Sequence, residues 1–290
     1  MPKKPNKQAD NLKTTYDPTW CPGCGNYGLW GALRKALAEC GVPRHKLFAV
    51  YGIGCSGNGF NFTKINAFHG LHGRALPVAE GLKLANHDLK VLVMAGDGDA
   101  YGEGGNHFLH ACRANHDLAY FVHDNQVYGL TTGQHSPTTM KGQKSKSNPF
   151  PVADEPVNPV ALALVAGATF VARGFTGEID HLAEIMKAAI HHPGFAFVDI
   201  LQPCFTYNKF NTHSYFRERI YKLSYHDRRD KSAALELAWQ WEREDKIPIG
   251  IFYQDTAKPP YHQNFSALEK KPLVKRPLSV NINDIMGKFV

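Results

Sequence analysis

The stretch VLVMAGDGDAYGEGGNH, residues 91–107, decides the fold. Its first five residues form a continuous apolar run, which predicts a strand buried on both faces of a sheet. A turn rich in glycine and aspartate follows at once, and a helical pattern that contains Cys112 comes next. Because a buried strand that leads through a polar turn into a helix is the repeating unit of α/β proteins, this stretch indicates a layered α/β domain.

Four more short apolar or aromatic runs predict strands, at residues 47–50, 118–122, 169–172 and 195–200. Helical patterns lie between them, most clearly at residues 29–40 before Gly41 and at residues 179–191 before Pro193. Since strands and helices alternate along the chain, we predict an α/β fold with a doubly wound, mainly parallel sheet.

The composition favours a folded cytoplasmic protein. The chain has 290 residues, of which 43% are hydrophobic, and this is enough for one large core. Its longest apolar run, residues 159–172, is too short to cross a bilayer, so no membrane association is expected. The start, MPKKPNKQADNLK, is basic but lacks the apolar stretch of a secretory signal, and we predict that residues 1–15 form a flexible basic arm.

The net charge of +7 indicates an acidic partner. Nucleic acid is not predicted, because the lysines and arginines are scattered and no helix-turn-helix, RNA-binding or zinc-finger pattern accompanies them. An acidic protein partner and a merely solvated basic face both remain open.

Polar and thiol side chains follow directly after four of the predicted strands: Cys55, Asp97, Asn125 and Cys204. In an open parallel sheet, ligands bind beyond the carboxyl ends of the strands. We therefore expect one ligand site to gather these residues.

Asp97 belongs to the sequence GDGD, and Asn125 follows the next strand in HDNQVYG. Glycines let the backbone approach a diphosphate, and carboxylate and amide oxygens are hard ligands suited to a magnesium ion that also bridges phosphate oxygens. A lone GDG is more often an ordinary turn, but the strand context and the spaced asparagine favour the metal. A GxGxxG loop is not favoured, because the two aspartates of GDGD would repel a pyrophosphate unless a cation lay between them.

Six cysteines in a cytosolic chain of this size are more typical of metal binding or catalysis than of disulfides. Cys21 and Cys24 form a close pair, whereas Cys55 and Cys204 are single. Four thiolates hold either a zinc ion or an iron–sulfur cluster, and the spacing does not choose between them. For the close pair alone, a redox dithiol is a further alternative. The remaining cysteines are predicted to be structural: Cys40 and Cys112.

Seven motifs occur in order along the chain: WCPGCG, GIGCSG, LHGRA, GDGD…GGNH, HDNQVYGLTTGQHSPTT, LQPCFTYN and IPIGIFYQ. In this order they resemble the β subunit of 2-oxoacid:ferredoxin oxidoreductases, and GDG…N resembles the motif of thiamine-diphosphate enzymes. The resemblance covers about residues 16–254. It implies a thiamine-diphosphate- and magnesium-binding α/β domain with a [4Fe–4S] site at residues 16–204, and a C-terminal extension and tail at residues 205–290 that packs on the partner subunit.

Carried over residue by residue, the resemblance implies several sets of contacts. The ligands of one [4Fe–4S] cluster are Cys21, Cys24, Cys55 and Cys204. The magnesium ligands are Asp97, Asn125 and the backbone carbonyl of Val127. The residues that line the diphosphate are Gly98, Asp99, Gly129 and Leu130. The residues against the thiamine are Ile53, Gly54, Cys55, Ser56 and His72. The HGR motif suggests two catalytic residues, His72 and Arg74.

The reaction implied by the resemblance is the oxidative decarboxylation of a 2-oxoacid, with the acyl group passing to coenzyme A and electrons passing through the cluster to ferredoxin. LHGRA and GDGD…GGNH look more like the 2-oxoglutarate type, whose products are succinyl-CoA, carbon dioxide and reduced ferredoxin. Run in reverse, as in a reductive TCA cycle, the reaction fixes carbon dioxide. Thiamine enzymes also need an activating glutamate, which an α subunit must supply here, in an αβ or (αβ)2 assembly.

Other functions remain open on the sequence. Asn58 and Thr132 stand where lysine is common in relatives, which leaves the positive charge for an anionic substrate to Lys64 or Arg74. Pyruvate or a broad range of 2-oxoacids is the alternative substrate class. A zinc-stabilised nucleic-acid-binding module and a non-oxidative thiamine decarboxylase are the remote alternatives.

Overall fold

The computed structural model describes residues 9, 11–145, 147–269, 271–277, 279, 281–287 and 289. The strands in this part of the chain are β1 Leu47–Tyr51, β2 Asn66–His69, β3 Lys90–Gly96, β4 Leu118–Asp124, β5 Val127–Tyr128, β6 Gln134–His135, β7 Phe170–Phe175, β8 Phe195–Leu201, β9 Ile220–Lys222 and β10 Ile247–Gln254.

Eight of these strands form one sheet in the order β2-β1-β3-β4-β8-β7-β10-β9, and β5 pairs with β6 in a separate hairpin. Strands β1, β2, β3, β4, β7 and β8 are parallel, whereas β10 runs antiparallel to β7. The chain leaves β1 for β2 on one side and continues with β3 on the other. This reversal opens a crevice at the carboxyl ends of β1 and β3, where open α/β sheets bind ligands.

Helices cover both faces of the sheet. The α-helices are α1 Asn26–Glu39, α2 Gly59–Phe62, α3 Ala75–Ala85, α4 Gly105–Ala114, α5 Pro159–Ala166, α6 Ile179–His191, α7 His213–Arg219, α8 Lys231–Ala238, α9 Gln240–Glu244, α10 Ser266–Glu269 and α11 Ile282–Met286. Shorter turns are 3-10 helices at Arg44–Lys46, Tyr261–Asn264 and Leu273–Lys275 and a π-helical turn at Gly98–Glu103. Within the described residues, no helix is long and apolar enough to cross a membrane.

Two hydrophobic cores lie on opposite faces of the sheet. Val93 of β3 belongs to the core under α3, α4, α5 and α8, whereas Leu92 and Met94 belong to the core under α1 and α6. Burial on both faces explains why these strands appear in the sequence as continuous apolar runs. The prediction of a doubly wound, mainly parallel sheet is confirmed, and all five predicted strands are present.

The C-terminal part of the chain differs from the expectation of a separate extension. β9 and β10 lie within residues 205–290, yet β10 pairs with β7 in the main sheet and brings Ile251 opposite Ala172. The boundary predicted at residue 204 therefore does not separate two folded units. Pro248 and Gly250 weaken the strand signal of β10, because both residue types are uncommon inside strands.

Part of the predicted flexible arm is packed against the domain. Leu12 is buried, and its carbonyl accepts a hydrogen bond from the Lys64 N–H at 2.8 Å. The Thr14 N–H donates to the Phe62 carbonyl at 3.2 Å. Residues 11–14 are thus fixed on the domain, whereas residues 1–8 and 10 of the predicted arm lie outside the described residues.

Candidate active site

A cavity lies at the carboxyl ends of β1, β3 and β4, and we call it the cofactor cavity. Its lining residues are Ile53, Gly54, Cys55, Ser56, His72, Gly96, Asp97, Gly98, Asp99, His123, Asn125, Val127, Tyr128, Gly129, Leu130 and Thr131. The structure thus brings together every residue that the sequence analysis assigned to magnesium, diphosphate or thiamine.

Asp97 is buried at the end of β3 and contacts a threonine that the sequence analysis missed. Thr138 Oγ1 lies 2.8 Å from Asp97 Oδ2 and 2.8 Å from Asp124 Oδ1. A hydroxyl has a single proton to donate, so both contacts are hydrogen bonds only when one of the two carboxyls is protonated and donates to Thr138 Oγ1. Burial raises the pKa of Asp124 and favours it as this donor. Burial raises the pKa of Asp97 to about 6, although hydrogen bonds from Ser136 and Thr138 oppose this shift. A divalent cation beside Asp97 would favour its ionised form.

Asn125 follows β4, and the turn after it is conformationally strained. Gln126 has a φ of +61°, the left-handed region that side chains other than glycine rarely adopt. The turn is stabilised by the Val127 N–H, which donates to Asn125 Oδ1 at 3.1 Å, and by Thr139 Oγ1, which donates to the Gln126 carbonyl at 2.6 Å. Strain held in this way is frequent at functional sites.

Asp99 connects the two loops that form one wall of the cavity. Its Oδ1 accepts hydrogen bonds from the Gly73 N–H at 2.7 Å and the Ile53 N–H at 3.3 Å. A Cβ atom on Gly52 would lie 1.9 Å from Asp99 Oδ2, so only glycine permits this close approach. The carboxylate of Asp99 therefore positions the loops, and the residue lines the cavity beside Gly98.

His72 lines the cofactor cavity, but Arg74 and Lys64 do not. His72 Nδ1 lies 2.9 Å from Asp99 Oδ1 and 3.2 Å from Glu103 Oε2. The exposed Arg74 instead donates to the carbonyls of Gly73 and Glu103, both at 3.1 Å. Lys64 is exposed beside a different groove. Neither cation is thus placed to restore the positive charge expected for an anionic substrate.

A second cavity adjoins the first, and we call it the cysteine cavity. Its lining residues are Thr19, Trp20, Cys21, Cys24, Asn26, Cys55, Asn58, Asn125, Gly129, Leu130, Gln202, Cys204, Phe205, Thr206 and Tyr207. The four cysteines assigned to one cluster therefore meet at one place. Gly129 lies between the cavities, because a Cβ atom on it would be 3.5 Å from Cys55 Sγ and 3.8 Å from Cys204 Sγ.

The thiols of the cysteine cavity are free, and the pKa values of Cys24 and Cys55 are raised. Burial, with a smaller contribution from the neighbouring thiols, raises the pKa of Cys24 to about 11 and that of Cys55 to about 12. Thiolates in this cavity consequently require a cationic group beside them. By contrast, Cys40 and Cys112 are buried in the two hydrophobic cores and line neither cavity.

Trp20 is a second residue that the sequence analysis missed. Its Nε1–H donates to the Cys55 carbonyl at 2.7 Å, and its ring packs edge-on against Tyr27 and Phe62. Trp20 thereby fixes the loop after β1 to the segment that carries Cys21. Its place beside Cys21 in WCPGCG was the available signal, since a buried tryptophan usually finds a partner for its N–H.

The two donor sets fit different groups. Asp97 and Asn125 offer the hard oxygen donors that magnesium prefers, beside glycine backbone that admits a diphosphate. The four thiols line one cavity. Thiolates are the ligands of iron–sulfur groups and of structural zinc, and four of them at one place fit such a group.

Comparison with known families supports the same assignment. The family described as thiamine pyrophosphate enzyme, C-terminal TPP binding domain, matches residues 44–200. The family described as the C terminal of the pyruvate ferredoxin oxidoreductase beta subunit matches residues 204–270. The first match ends four residues before Cys204, and the second match begins at Cys204.

Full-length relatives are similar over most of this chain. A 2-oxoacid:ferredoxin oxidoreductase subunit beta from Sulfolobus sp is 46% identical over 86% of this chain and 85% of its own. The 2-oxoglutarate synthase subunit KorB of Methanocaldococcus jannaschii is 36% identical over 87% of this chain and 93% of its own.

A solved structure is similar as well. It is a 2-oxoglutarate:ferredoxin oxidoreductase from Magnetococcus marinus with 2-oxoglutarate, coenzyme A and succinyl-CoA bound. Its chain is 36% identical, and the superposition has a TM-score of 0.89 over 99% of this chain and 97% of that one. Together with the two adjoining cavities, these similarities establish that the chain belongs to the β subunits of the 2-oxoacid:ferredoxin oxidoreductases.

Proposed function

We propose that this chain is the β subunit of a 2-oxoglutarate:ferredoxin oxidoreductase, which converts 2-oxoglutarate and coenzyme A to succinyl-CoA and carbon dioxide and reduces ferredoxin. The observation that carries the proposal is the common wall of the two cavities, which is formed by Cys55, Asn125, Gly129 and Leu130. A thiamine site that shares a wall with an electron acceptor suits an oxidation in single-electron steps.

In the cofactor cavity, Asp97, Asn125 and the carbonyl of Val127 would hold Mg²⁺. Gly98, Asp99, Gly129 and Leu130 would line the diphosphate that shares this ion. When bound, thiamine diphosphate supplies the carbanion chemistry that removes carbon dioxide from a 2-oxoacid.

His72 is the side chain of this chain best placed to handle a proton at the thiamine. Nδ1 lies 2.9 Å from Asp99 Oδ1, and the imidazole would exchange a proton with a bound group through Nε2. Arg74 does not line this cavity, and its Nη1 donates to the carbonyls of Gly73 and Glu103, so it is not assigned a role in proton transfer.

In the cysteine cavity, Cys21, Cys24, Cys55 and Cys204 would hold one [4Fe–4S] cluster, whose chemistry is one-electron transfer. The chain contributes the burial and the hydrogen bonds that tune such a cluster. Cys21 is exposed, so this side of the cavity faces solvent, from which ferredoxin could approach.

The rim of the cofactor cavity supports an obligatory partner subunit. Large apolar side chains are exposed there: Leu71, next in sequence to His72, and Leu130. Exposed apolar clusters of this kind mark protein interfaces. An α subunit seated there, in a cytoplasmic αβ or (αβ)2 enzyme, would supply the activating glutamate. It would also supply the positive charge for the second carboxylate of 2-oxoglutarate, which Lys64 and Arg74 do not provide.

The proposal is tested by purifying the chain anaerobically, alone and together with its α subunit. We expect about four irons per chain and ferredoxin reduction that requires 2-oxoglutarate, coenzyme A and both subunits. Pyruvate serves as the control substrate and should be turned over much more slowly. Zinc in place of iron would contradict the cluster, and equal rates with pyruvate would contradict the substrate assignment.

A further inference from the structure

Gln202 is a buried polar residue between the two sets of proposed metal ligands. It follows β8, is 1% exposed and lines the cysteine cavity. Gly25 allows its close packing, because a Cβ atom on Gly25 would lie 3.0 Å from Gln202 Cγ and 3.1 Å from Gln202 Nε2. The side chain is therefore held firmly beside the Cys21–Cys24 segment.

The amide of Gln202 has a defined orientation. Its Nε2 donates to the Pro203 carbonyl at 3.0 Å, and a carbonyl oxygen can only accept. The second proton of Nε2 is directed to Cys24 Sγ at 3.5 Å. Oε1 then accepts from Asn125 Nδ2 at 3.3 Å. In each of these three contacts, a donor thus faces an acceptor.

The orientation of Gln202 also determines that of Asn125. Because Nδ2 of Asn125 is taken by Gln202, its Oδ1 faces the other way, where it accepts from the Val127 N–H at 3.1 Å. This oxygen is the atom required for magnesium binding. A rotation of the Asn125 amide would place an N–H donor where the cation needs an oxygen.

Resting on the proposed function, we infer that Gln202 is a positioning residue that links the two metal sites: it donates to the Cys24 sulfur and orients Asn125 for the magnesium ion. The link is direct, because a single amide contacts one proposed ligand of each site. It ties the iron–sulfur site to the cofactor site through a chain of only three side chains.

Two separate effects follow from the two halves of the amide. A donor to a cluster thiolate stabilises the reduced, more negative state and so raises the reduction potential. An acceptor for Asn125 Nδ2 holds the magnesium ligand in place, and losing such a supporting contact typically costs about 10- to 100-fold in metal affinity. Asn26 also hydrogen-bonds to Cys24, so loss of Gln202 should shift the potential without removing the cluster.

Gln202→Glu and Gln202→Leu separate these effects. The glutamate keeps an acceptor for Asn125 but loses the donor to Cys24, and at mildly alkaline pH it adds a negative charge near the sulfur. The leucine has a similar length and loses both contacts. Gln240→Leu makes the same chemical change in α9, outside both cavities, and serves as the matched control.

The experiment uses the anaerobic αβ enzyme and two measurements. The reduction potential of the cluster is followed by redox titration with electron paramagnetic resonance, and the Mg²⁺ dissociation constant is measured through thiamine diphosphate binding. We expect a lowered potential in both Gln202 variants. Mg²⁺ affinity should weaken by about tenfold or more in Gln202→Leu alone, and Gln240→Leu should change neither value.

An unchanged potential in Gln202→Glu, with the cluster present, would overturn the link to Cys24. Equal losses of Mg²⁺ affinity in both Gln202 variants would overturn the selective role in orienting Asn125. Failure of the proposed function looks different, because the unsubstituted enzyme would then lack iron or bind the cofactor without Mg²⁺. If Gln202→Leu does not fold, Gln202→Glu and Gln240→Leu still decide the potential, and Gln202→Ser tests the loss of the Asn125 contact.

Discussion

The cofactor cavity and the cysteine cavity share a wall, yet they offer opposite kinds of donor. The first presents oxygen atoms oriented by short hydrogen bonds, such as the 2.8 Å contact from Thr138 to Asp97. The second presents sulfur atoms, and the contact from Gln202 to Cys24 is long, at 3.5 Å. Hard oxygens suit magnesium and soft thiolates suit iron–sulfur groups, so in the proposed enzyme the wall would separate two kinds of metal site.

The two cavities also differ in how readily their proposed metal ligands ionise. Burial raises the pKa of Asp97 to about 6, so this carboxyl is mostly ionised at neutral pH. Burial raises the pKa of Cys55 to about 12, so this thiol stays protonated until a metal displaces the proton. In the proposed enzyme, magnesium would bind a carboxyl that is already mostly ionised, whereas assembly of the cluster would have to release protons from the thiols.

The largest expected effect comes from a substitution that disrupts only the cysteine cavity. Cys204→Ala removes one of four thiols and should lower the iron content from about four per chain to nearly none, because the cluster loses a ligand. Thiamine diphosphate binding in the neighbouring cavity should persist in part. Iron and sulfide analysis after anaerobic purification measures the first effect, and calorimetry measures the second.

Cys112→Ala is the matched control for this prediction. The thiol of Cys112 is fully buried in the core beside α4, and burial raises its pKa, but it lines neither cavity. Its removal should leave the iron content unchanged and cost some stability. Equal loss of iron from both variants would show that the cysteines had been sorted wrongly.

The second largest expected effect comes from a substitution that disrupts only the cofactor cavity. Asp97→Ala removes a proposed magnesium ligand and should weaken Mg²⁺-dependent thiamine diphosphate binding by more than about a hundredfold, beyond the usual cost of losing a supporting contact. The iron content should stay close to that of the unsubstituted protein. Unchanged cofactor affinity would exclude the magnesium role of the GDGD turn.

The pH dependence of magnesium binding sharpens the same comparison. Protons compete with Mg²⁺ for Asp97, so the affinity should level off well above the pKa of about 6 and fall as the pH drops through about 6. In the absence of Mg²⁺, the contribution of Asp97 to the free energy of unfolding depends on pH in the opposite direction. Because the folded-state pKa is raised, the contribution of Asp97 to stability is present at low pH and is lost as the pH rises from about 4 through about 6.

The sequence was sufficient for five of the six parallel strands, all but β2, and for the cysteines and the oxygen ligands assigned to the two cavities. Strands buried on both faces leave continuous apolar runs, and the residues after β1, β3, β4 and β8 necessarily meet at one edge. The antiparallel β10 was not assigned to this sheet, since its pairing with β7 depends on a long return of the chain that no local pattern encodes.

Supporting contacts within the site were equally hidden. Thr138 reaches Asp97 from a loop 41 residues away in sequence, and Gln202 reaches Cys24 across 178 residues. Neither residue type is distinctive, because threonine and glutamine mostly lie on surfaces. The catalytic role that the HGR motif suggested for Arg74 stays a prediction, since Arg74 lies outside the cofactor cavity and its Nη1 donates to the carbonyls of Gly73 and Glu103.

The smallest expected effect concerns the outer side of the cysteine cavity, where Phe205 is exposed and Lys209 lies over its ring at 4.9 Å. Lys209 Nζ also donates to the Phe205 carbonyl at 2.7 Å, so a positive charge is fixed near the cavity. Together with the net charge of +7, it should steer an acidic ferredoxin toward the cluster.

Added salt should therefore slow ferredoxin reduction several-fold, because screening shortens the Debye length from about 10 Å at 0.1 M to about 3 Å at 1 M. An uncharged artificial acceptor should respond far less, since it gains nothing from steering. Lys209→Glu should lower the rate with ferredoxin at low salt and leave the rate with the artificial acceptor nearly unchanged. If both acceptors respond identically to salt and to this substitution, the basic surface is only a solvated face, and ferredoxin docks elsewhere on the enzyme.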